Sequence, residues 1–229
     1  MLGGRRATIE RMPDETYSRL TLDEFTTRLA SAEPVPGGGS ASAVAASLAG
    51  SLLAMVAGLS SGRPKYAAYE QTIARALEAG TRARTRMLAL ADEDATAYQA
   101  FGAAMKLSRD TPEAQAERDA AIGTAALGAS EVPMDVVRES VALLQEIEAL
   151  AGRSNLNAAS DLHVAALLAE AAARGAGANV LINLPMVPDE QRAGAMTVEL
   201  NGYLREIGDA AARVREIVGA GKLLDPEGE

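Results

Sequence analysis

Four asparagines stand in otherwise apolar surroundings, Asn155 and Asn157 in "SNLNAASDL" and Asn179 and Asn183 in "GANVLIN". A carboxamide carries donors and an acceptor together. Asn179 and Asn183 are four residues apart, so on a helix they share one face. Buried amides must find partners, and four of them near each other suit the donor and acceptor edge of a heterocycle. The plainer use is capping and turn formation, most apt for Asn155. Two acids have a comparable double meaning. Asp161 follows Ser160 and precedes the apolar run "LHVAALLA". It either complements a helix dipole from the first turn or, inside a cleft, has its proton affinity tuned for acid/base work. Asp94 lies beside Asp92 and Glu93, four residues before Tyr98; such triplets are ordinarily a solvated face. His163 is the single histidine and, beside an apolar helix, is expected to be structural. Arg63, Lys65, Arg109 and Arg118 lie near loop edges, where they meet an anionic substrate or simply face water.

"PVPGGGSASA", residues 34 to 43, adds three consecutive glycines before a long uncharged run. No Gly-Lys-Ser or Gly-Lys-Thr follows, and no strand precedes, so neither a P-loop nor a dinucleotide fingerprint is present. What remains is a glycine loop feeding a helix N-terminus, where free amides and the helix dipole favour an anion or a polar ligand edge. The alternative is a tight turn with Ser40 as N-cap.

These residues need helices to position them. Hydrophobic residues make up 48% of the 229, but aromatics only 3%, the apolar share coming largely from Ala, Leu and Val. Alanine is the best helix former, whereas β-branched and aromatic residues favour strands. The composition predicts an all-α protein packed through small side chains: a single-domain helical bundle with one buried Ala/Gly/Ser-rich helix and a long second helix. Thr21 and Glu24 have capping-box spacing, and Leu22, Phe25 and Leu29 form one apolar face of a helix over Thr21 to Ala32. Ser40 to Ser60 is apolar on nearly every side, which predicts a helix surrounded by protein. A long helical pattern runs from about Lys65 to Leu107. Another helix starts at Thr111-Pro112-Glu113, with Pro at its first position; Val132-Pro133 is expected to kink or restart it before Met134 to Leu150. One helix follows "SNLNAASDL" as far as Arg174, where "GAGANVLINLP" either continues or ends it. The last covers about Pro188 to Val218. Residues 1–20 read as a polar extension, 21–218 as one helical domain and 219–229 as an acidic tail.

Charge and composition exclude other classes. The formal net charge is −9, with no basic cluster interleaved with aromatics, which argues against nucleic-acid binding. Cysteine is absent, removing disulfides and thiolate chemistry and fitting a cytoplasmic location; with one histidine, no multi-histidine metal site forms within a chain. The N-terminal stretch has arginines but no apolar h-region. Pro34 to Gly62 carries no charge, yet serines and glycines dilute it, so a helix buried in a bundle or dimer fits better than a membrane span.

Taken in order, "PVPGGGSASA", "GRPKY", "DEDATAY", "RDAAIGTAALGASEVPM", "NLNAASDL" and "GANVLIN" resemble the cyclodeaminase/cyclohydrolase family, which includes the C-terminal domain of formiminotransferase-cyclodeaminase and free-standing methenyl-tetrahydrofolate cyclohydrolases. The resemblance spans about Thr21 to Val218. It implies an all-helical homodimer with a folate cleft near the dimer interface, tetrahydrofolate as substrate and no other cofactor or metal. It carries over Pro36, Gly37, Gly38, Gly39, Ser40, Tyr66, Tyr98, Asn155, Asn157, Ser160, Asn179 and Asn183 as substrate-binding residues. Asp161, Lys65 and Asp94 are expected to be catalytic: Asp161 for electrostatics and acid/base work, Lys65 as proton shuttle, Asp94 in support. Arg63 and Arg118 are assigned to the glutamate tail. His163 stands where the family has small apolar residues, so no role passes to it, and Arg63-Pro64-Lys65 replaces the frequent pair of lysines. The expected activity is formimino-tetrahydrofolate cyclodeamination, with methenyl-folate cyclohydrolysis or non-catalytic folate binding as alternatives.

Overall fold

The computed structural model describes residues 16–226. Among these, the regular elements are helical and no strand occurs: α1 (Leu22–Leu29), α2 (Gly38–Ser60), α3 (Glu70–Met105), α4 (Pro112–Leu150), α5 (Ala159–Asn183) and α6 (Glu190–Ala220), with short 3-10 turns at Pro64–Tyr69, Leu156–Ala158 and Leu184–Met186. The all-α expectation holds.

Small residues in α2 permit two close helix crossings. Against α3, Gly50 and Gly80 meet backbone to backbone: a Cβ on Gly80 would lie 2.6 Å from the Gly50 carbonyl oxygen and 2.7 Å from the Ala54 nitrogen. Ser47 Oγ donates to the Arg84 carbonyl at 3.0 Å nearby, so even the hydroxyl has a partner at the interface. Against α5, a Cβ on Gly175 would fall 2.5 Å from Ser42 Oγ. Pairs along α2 run downward in number on both neighbours (Ser40 with Ala91, Gly50 with Gly80; Gly38 with Asn179, Ser42 with Gly175). Both neighbours are therefore antiparallel to α2. Leu53, Val56, Ile73, Met87, Leu144 and Leu162 are fully buried between these helices and α4.

Several boundaries differ from expectation. α2 starts at Gly38 with Gly37 as N-cap, so Ser40 is already in its first turn and does not cap it. α4 runs unbroken through Pro133; the proline does not restart it. Residues 64–69 are a 3-10 turn ahead of α3, as Pro64 fixes a turn entry. α5 continues past Arg174 to Asn183. The capping box at Thr21 and Glu24 is present, but α1 ends at Leu29 and of its apolar face only Phe25 is partly buried; Leu22 is 68% exposed. Phe25 instead packs edge-on to Tyr17, ring centroids 5.7 Å apart.

Of the expected polar extension, residues 1–15 lie outside the described residues. Tyr17 is buried and its N–H donates to Asp92 Oδ1 at 2.8 Å, so the packed unit begins before residue 21. It also extends past 218: Leu224 N–H donates to the Gly152 carbonyl at 2.8 Å. Nor is α2 fully surrounded within the chain. Leu48 is 50% exposed and, with Met55 and Leu59, forms an outward apolar stripe. Gly38–Ser60 and the stretch Leu156–Met186 are long and apolar enough to cross a membrane by length and composition, although each is partly buried against the rest of the fold.

Candidate functional site

A cavity of about 370 Å³ opens at the N-terminus of α2, a size that suits a small organic ligand. Its floor is the glycine loop, Pro34, Val35 and Gly37 to Gly39. One wall is the end of α3 with Asp94, Tyr98 and Phe101; the other is the end of α5 with Asn179, Ile182 and Asn183, completed by Ala129 of α4 and Met186. Four separate stretches of chain, residues 34–39, 94–101, 129 and 179–186, converge here because α3 and α5 both run antiparallel to α2.

The glycines have a specific neighbour. Gly37 carries no side chain to cap α2, and Asp94, reaching across from α3, takes over that work: its carboxylate accepts from the Ser40 backbone N–H and from Ser40 Oγ at 2.9 Å. The same hydroxyl lies 3.1 Å from the Ala91 carbonyl and, having one proton, shares it between the two. This approach requires glycine at position 39, where a Cβ would sit 2.6 Å from Asp94 Cγ and closer still to Oδ1. Gly38 is different, since a Cβ there meets only Asn179 Nδ2 at 3.5 Å. Burial pushes the Asp94 carboxyl above the ordinary carboxylate range, against the opposing pull of its Ser40 hydrogen bonds. A carboxyl so placed holds a proton more readily than one in water, which suits it to acid/base work.

Each carboxamide at the end of α5 spends one of its two N–H donors on a backbone carbonyl. Asn179 Nδ2 donates to the Gly175 carbonyl at 2.9 Å, and Asn183 Nδ2 to the Ala129 carbonyl at 2.7 Å. The amides of Gly38 and Gly39, first in α2, have no intrahelical acceptor. The cavity therefore offers N–H groups from the loop, and oxygens from Asp94, Asn179 and Asn183.

The remaining candidates gather at the opposite end of α2. Asn155 N–H donates to Ser60 Oγ at 2.9 Å. Asn155 Oδ1 accepts from the Asn157 N–H at 3.1 Å and stands 3.5 Å from the Tyr66 hydroxyl. Lys65 Nζ lies 5.5 Å from the centroid of the Tyr66 ring. Ser160 and half-buried Asp161 open α5 beside them. Asp161 and Asn179 are separated by about 27 Å along the α5 axis at the usual rise per residue. One chain thus brings Gly37, Gly38, Gly39, Asp94, Tyr98, Asn179 and Asn183 together, and places Lys65, Tyr66, Asn155, Asn157, Ser160 and Asp161 elsewhere. Pro36 and Ser40 are buried behind the cavity floor. Arg118 lines neither cluster; its guanidinium donates to the Met105 carbonyl at 3.2 Å and ties the start of α4 to the end of α3. His163 is half-buried on α5 with Nε2 buried and unpartnered. No group of residues suited to hold a metal ion occurs among the described residues.

Sequence reasoning passed over Phe101, Ala129, Ile182 and Met186. Phe101 was within reach, being three residues after Tyr98 on one helical face. Ala129 was signalled by Pro133, because a proline in a helix frees the carbonyl four residues before it.

The sequence and the helical fold match known proteins. A sequence model of the formiminotransferase-cyclodeaminase family matches residues 21–202, and the chain belongs to that family. The methenyltetrahydrofolate cyclohydrolase of Methylorubrum extorquens is 34% identical over 198 residues, covering 86% of this chain and 95% of that protein. The formimidoyltransferase-cyclodeaminase of Sus scrofa is 32% identical over 202 residues. There the match covers 88% of this chain but 37% of the longer protein. A crystal structure of formiminotetrahydrofolate cyclodeaminase from Thermotoga maritima superposes with a TM-score of 0.81 at 33% identity, covering 89% of this chain and 98% of that one.

Proposed function

We propose that this chain acts on the one-carbon unit of tetrahydrofolate, converting the 5-formimino form to the 5,10-methenyl form with release of ammonia. The observation that carries this reading is the cavity itself: Asp94, its carboxyl pushed up by burial, faces loop amides and carboxamide oxygens in a space sized for a pteridine. In the reaction N10 adds to the formimino carbon, giving a tetrahedral carbon between two ring nitrogens. The N10 proton leaves, the amino group is protonated, and ammonia departs as the methenyl cation forms. Asp94 is placed to take the first proton and return one to the departing nitrogen, a role typically worth about 100- to 10,000-fold in rate. Its negative charge then lies beside the new cation.

A second reading, methenyl-tetrahydrofolate cyclohydrolase, is favoured by the end-to-end match with the Methylorubrum extorquens protein. Water then attacks the methenyl carbon in the same cavity, and Asp94 accepts its proton. Parallel assays of pure protein with both folates decide between them, by formation or loss of the methenyl chromophore. Tight binding of folate with no turnover of either would refute both and leave a binding protein.

We also infer that two chains pair through the outward faces of α2 and α5. Leu48, Met55 and Leu59 on α2, and Val164, Leu167 and Leu181 on α5, are exposed. A two-fold axis across the middle of α2 sets each Gly38 end against the partner's Ser60 end. Lys65 and Asp161 then reach the cavity of the other subunit, which is how they would join Asp94 in the reaction.

A further inference from the structure

We propose that Pro133 fixes the polarity of the cavity by orienting the Asn183 carboxamide, so that this wall accepts hydrogen bonds from a donor-bearing ligand edge. The ligand half of this inference rests on the folate reading; the Pro133–Asn183 linkage does not.

In a regular α-helix the N–H of residue 133 donates to the carbonyl of residue 129. Proline has no such hydrogen, yet α4 continues through Pro133 with the ring buried. The carbonyl of Ala129, a residue that lines the cavity, would be left without its helical donor. Asn183, the last residue of α5, supplies one through Nδ2 at 2.7 Å. A carbonyl only accepts, so the carboxamide atom facing it must be the nitrogen. The oxygen is thereby turned away from α4, and it accepts no hydrogen bond from the described residues. Asn179, one turn earlier, is held in the same sense by the Gly175 carbonyl. With Asp94 they present three acceptors. A ligand edge that satisfies them carries N–H groups, as the ring N–H and exocyclic amino group of a 2-amino-4-oxopteridine do, while its ring carbonyl suits the Gly38 and Gly39 amides. A ligand without the amino group leaves an acceptor unpaired, and sites built on hydrogen bonds reject such analogues strongly.

The test is a cycle of Pro133→Ala, Asn183→Leu and the double variant. Without ligand, Asn183→Leu strands the Ala129 carbonyl in the wild-type background and lowers the melting midpoint by several degrees. In the Pro133→Ala background, residue 133 regains an N–H and the drop is at most half as large. Equal drops in both backgrounds overturn the linkage. Should Asn183→Leu fail to fold, Asn183→Ala completes the same cycle. With ligand, binding of tetrahydrofolate is compared with its 2-desamino analogue. The wild type prefers the 2-amino form by about tenfold or more; Asn183→Leu brings the ratio near one and Pro133→Ala lowers it, whereas loss of packing alone weakens both ligands equally. A ratio unchanged in both variants overturns the proposal. Failure of the wild type to bind either pteridine overturns the folate reading and the ligand half together, while the ligand-free cycle still judges the linkage.

Discussion

Replacing Gly39 with alanine is expected to damage the protein out of proportion to one methyl group. The added Cβ would stand 2.6 Å from Asp94 Cγ and 2.7 Å from Oδ2, and all three of its nearest atoms belong to Asp94. The carboxylate must swing away, breaking its bonds to the Ser40 amide and hydroxyl. Hydrogen bonds to a charged group contribute about 1.5–3 kcal/mol each, and overpacking costs about 1–3 kcal/mol. Recovered hydration of the carboxylate and a helix-propensity gain of at most about 1 kcal/mol offset part of that. A net loss of about 3 kcal/mol or more remains, which for a chain of this size lowers the melting midpoint by about 6 °C or more. Gly38→Ala, whose Cβ makes ordinary contact at 3.5 Å, should stay within about 0.5 kcal/mol of the wild type. Thermal unfolding by circular dichroism reads both. In an Asp94→Ala background the Gly39→Ala penalty should fall sharply, since the three atoms nearest the added Cβ all belong to the Asp94 carboxyl. Equal midpoints for the two glycine variants, or a penalty undiminished by removal of Asp94, would refute the reasoning.

Four further outcomes are expected. Because burial raises the Asp94 value in the folded state, its contribution to stability is complete below about pH 4 and is lost as pH rises through the raised value. The stability of Asp94→Asn relative to wild type should therefore increase between about pH 4 and 7; denaturant titrations showing a flat or falling difference would contradict this. Gly80→Leu drives a side chain into the Gly50 carbonyl and the Ala54 amide nitrogen and should cost about 3 kcal/mol or more, checked by urea unfolding. Leu48→Glu places a charge on the outward face of α2 and should convert a dimer to monomers in sedimentation velocity. If sites are shared between subunits, mixing an Asp94→Asn chain with an Asp161→Asn chain should restore about a quarter of wild-type turnover; no recovery would mean the two acids do not meet across subunits, and an Asp161→Asn chain as fast as wild type on its own would place Asp161 outside the reaction.

How far the sequence foretold this architecture differs by element. Alanine-rich helices and the capping box at Thr21 rest on local interactions, so they were readable. The uninterrupted α4 was not, because proline's local cost is offset by a distant partner, Asn183, donating to the freed carbonyl. Gly39 and Asp94 were each noticed, but their contact depends on α3 folding back along α2 through the Gly50–Gly80 crossing. Reading Asp94 as part of a solvated triplet failed for the same reason: Asp92 and Asp94 face different neighbours, Tyr17 and Ser40. Motif order suggested one site from residues 36 to 183. Antiparallel packing of α2 and α5 instead sends Asp161 and Asn183 to opposite ends of the molecule, a consequence of helix length that spacing alone does not convey.

The most direct test of the central claim is turnover by wild type and Asp94→Asn, with 5-formimino-tetrahydrofolate and 5,10-methenyl-tetrahydrofolate supplied separately and the methenyl chromophore and ammonia followed. The expected result is that the wild type consumes at least one of the two, and that folded Asp94→Asn does so at least about 100-fold more slowly. Wild-type protein inert toward both, or an Asp94→Asn variant as fast as the wild type, would contradict it.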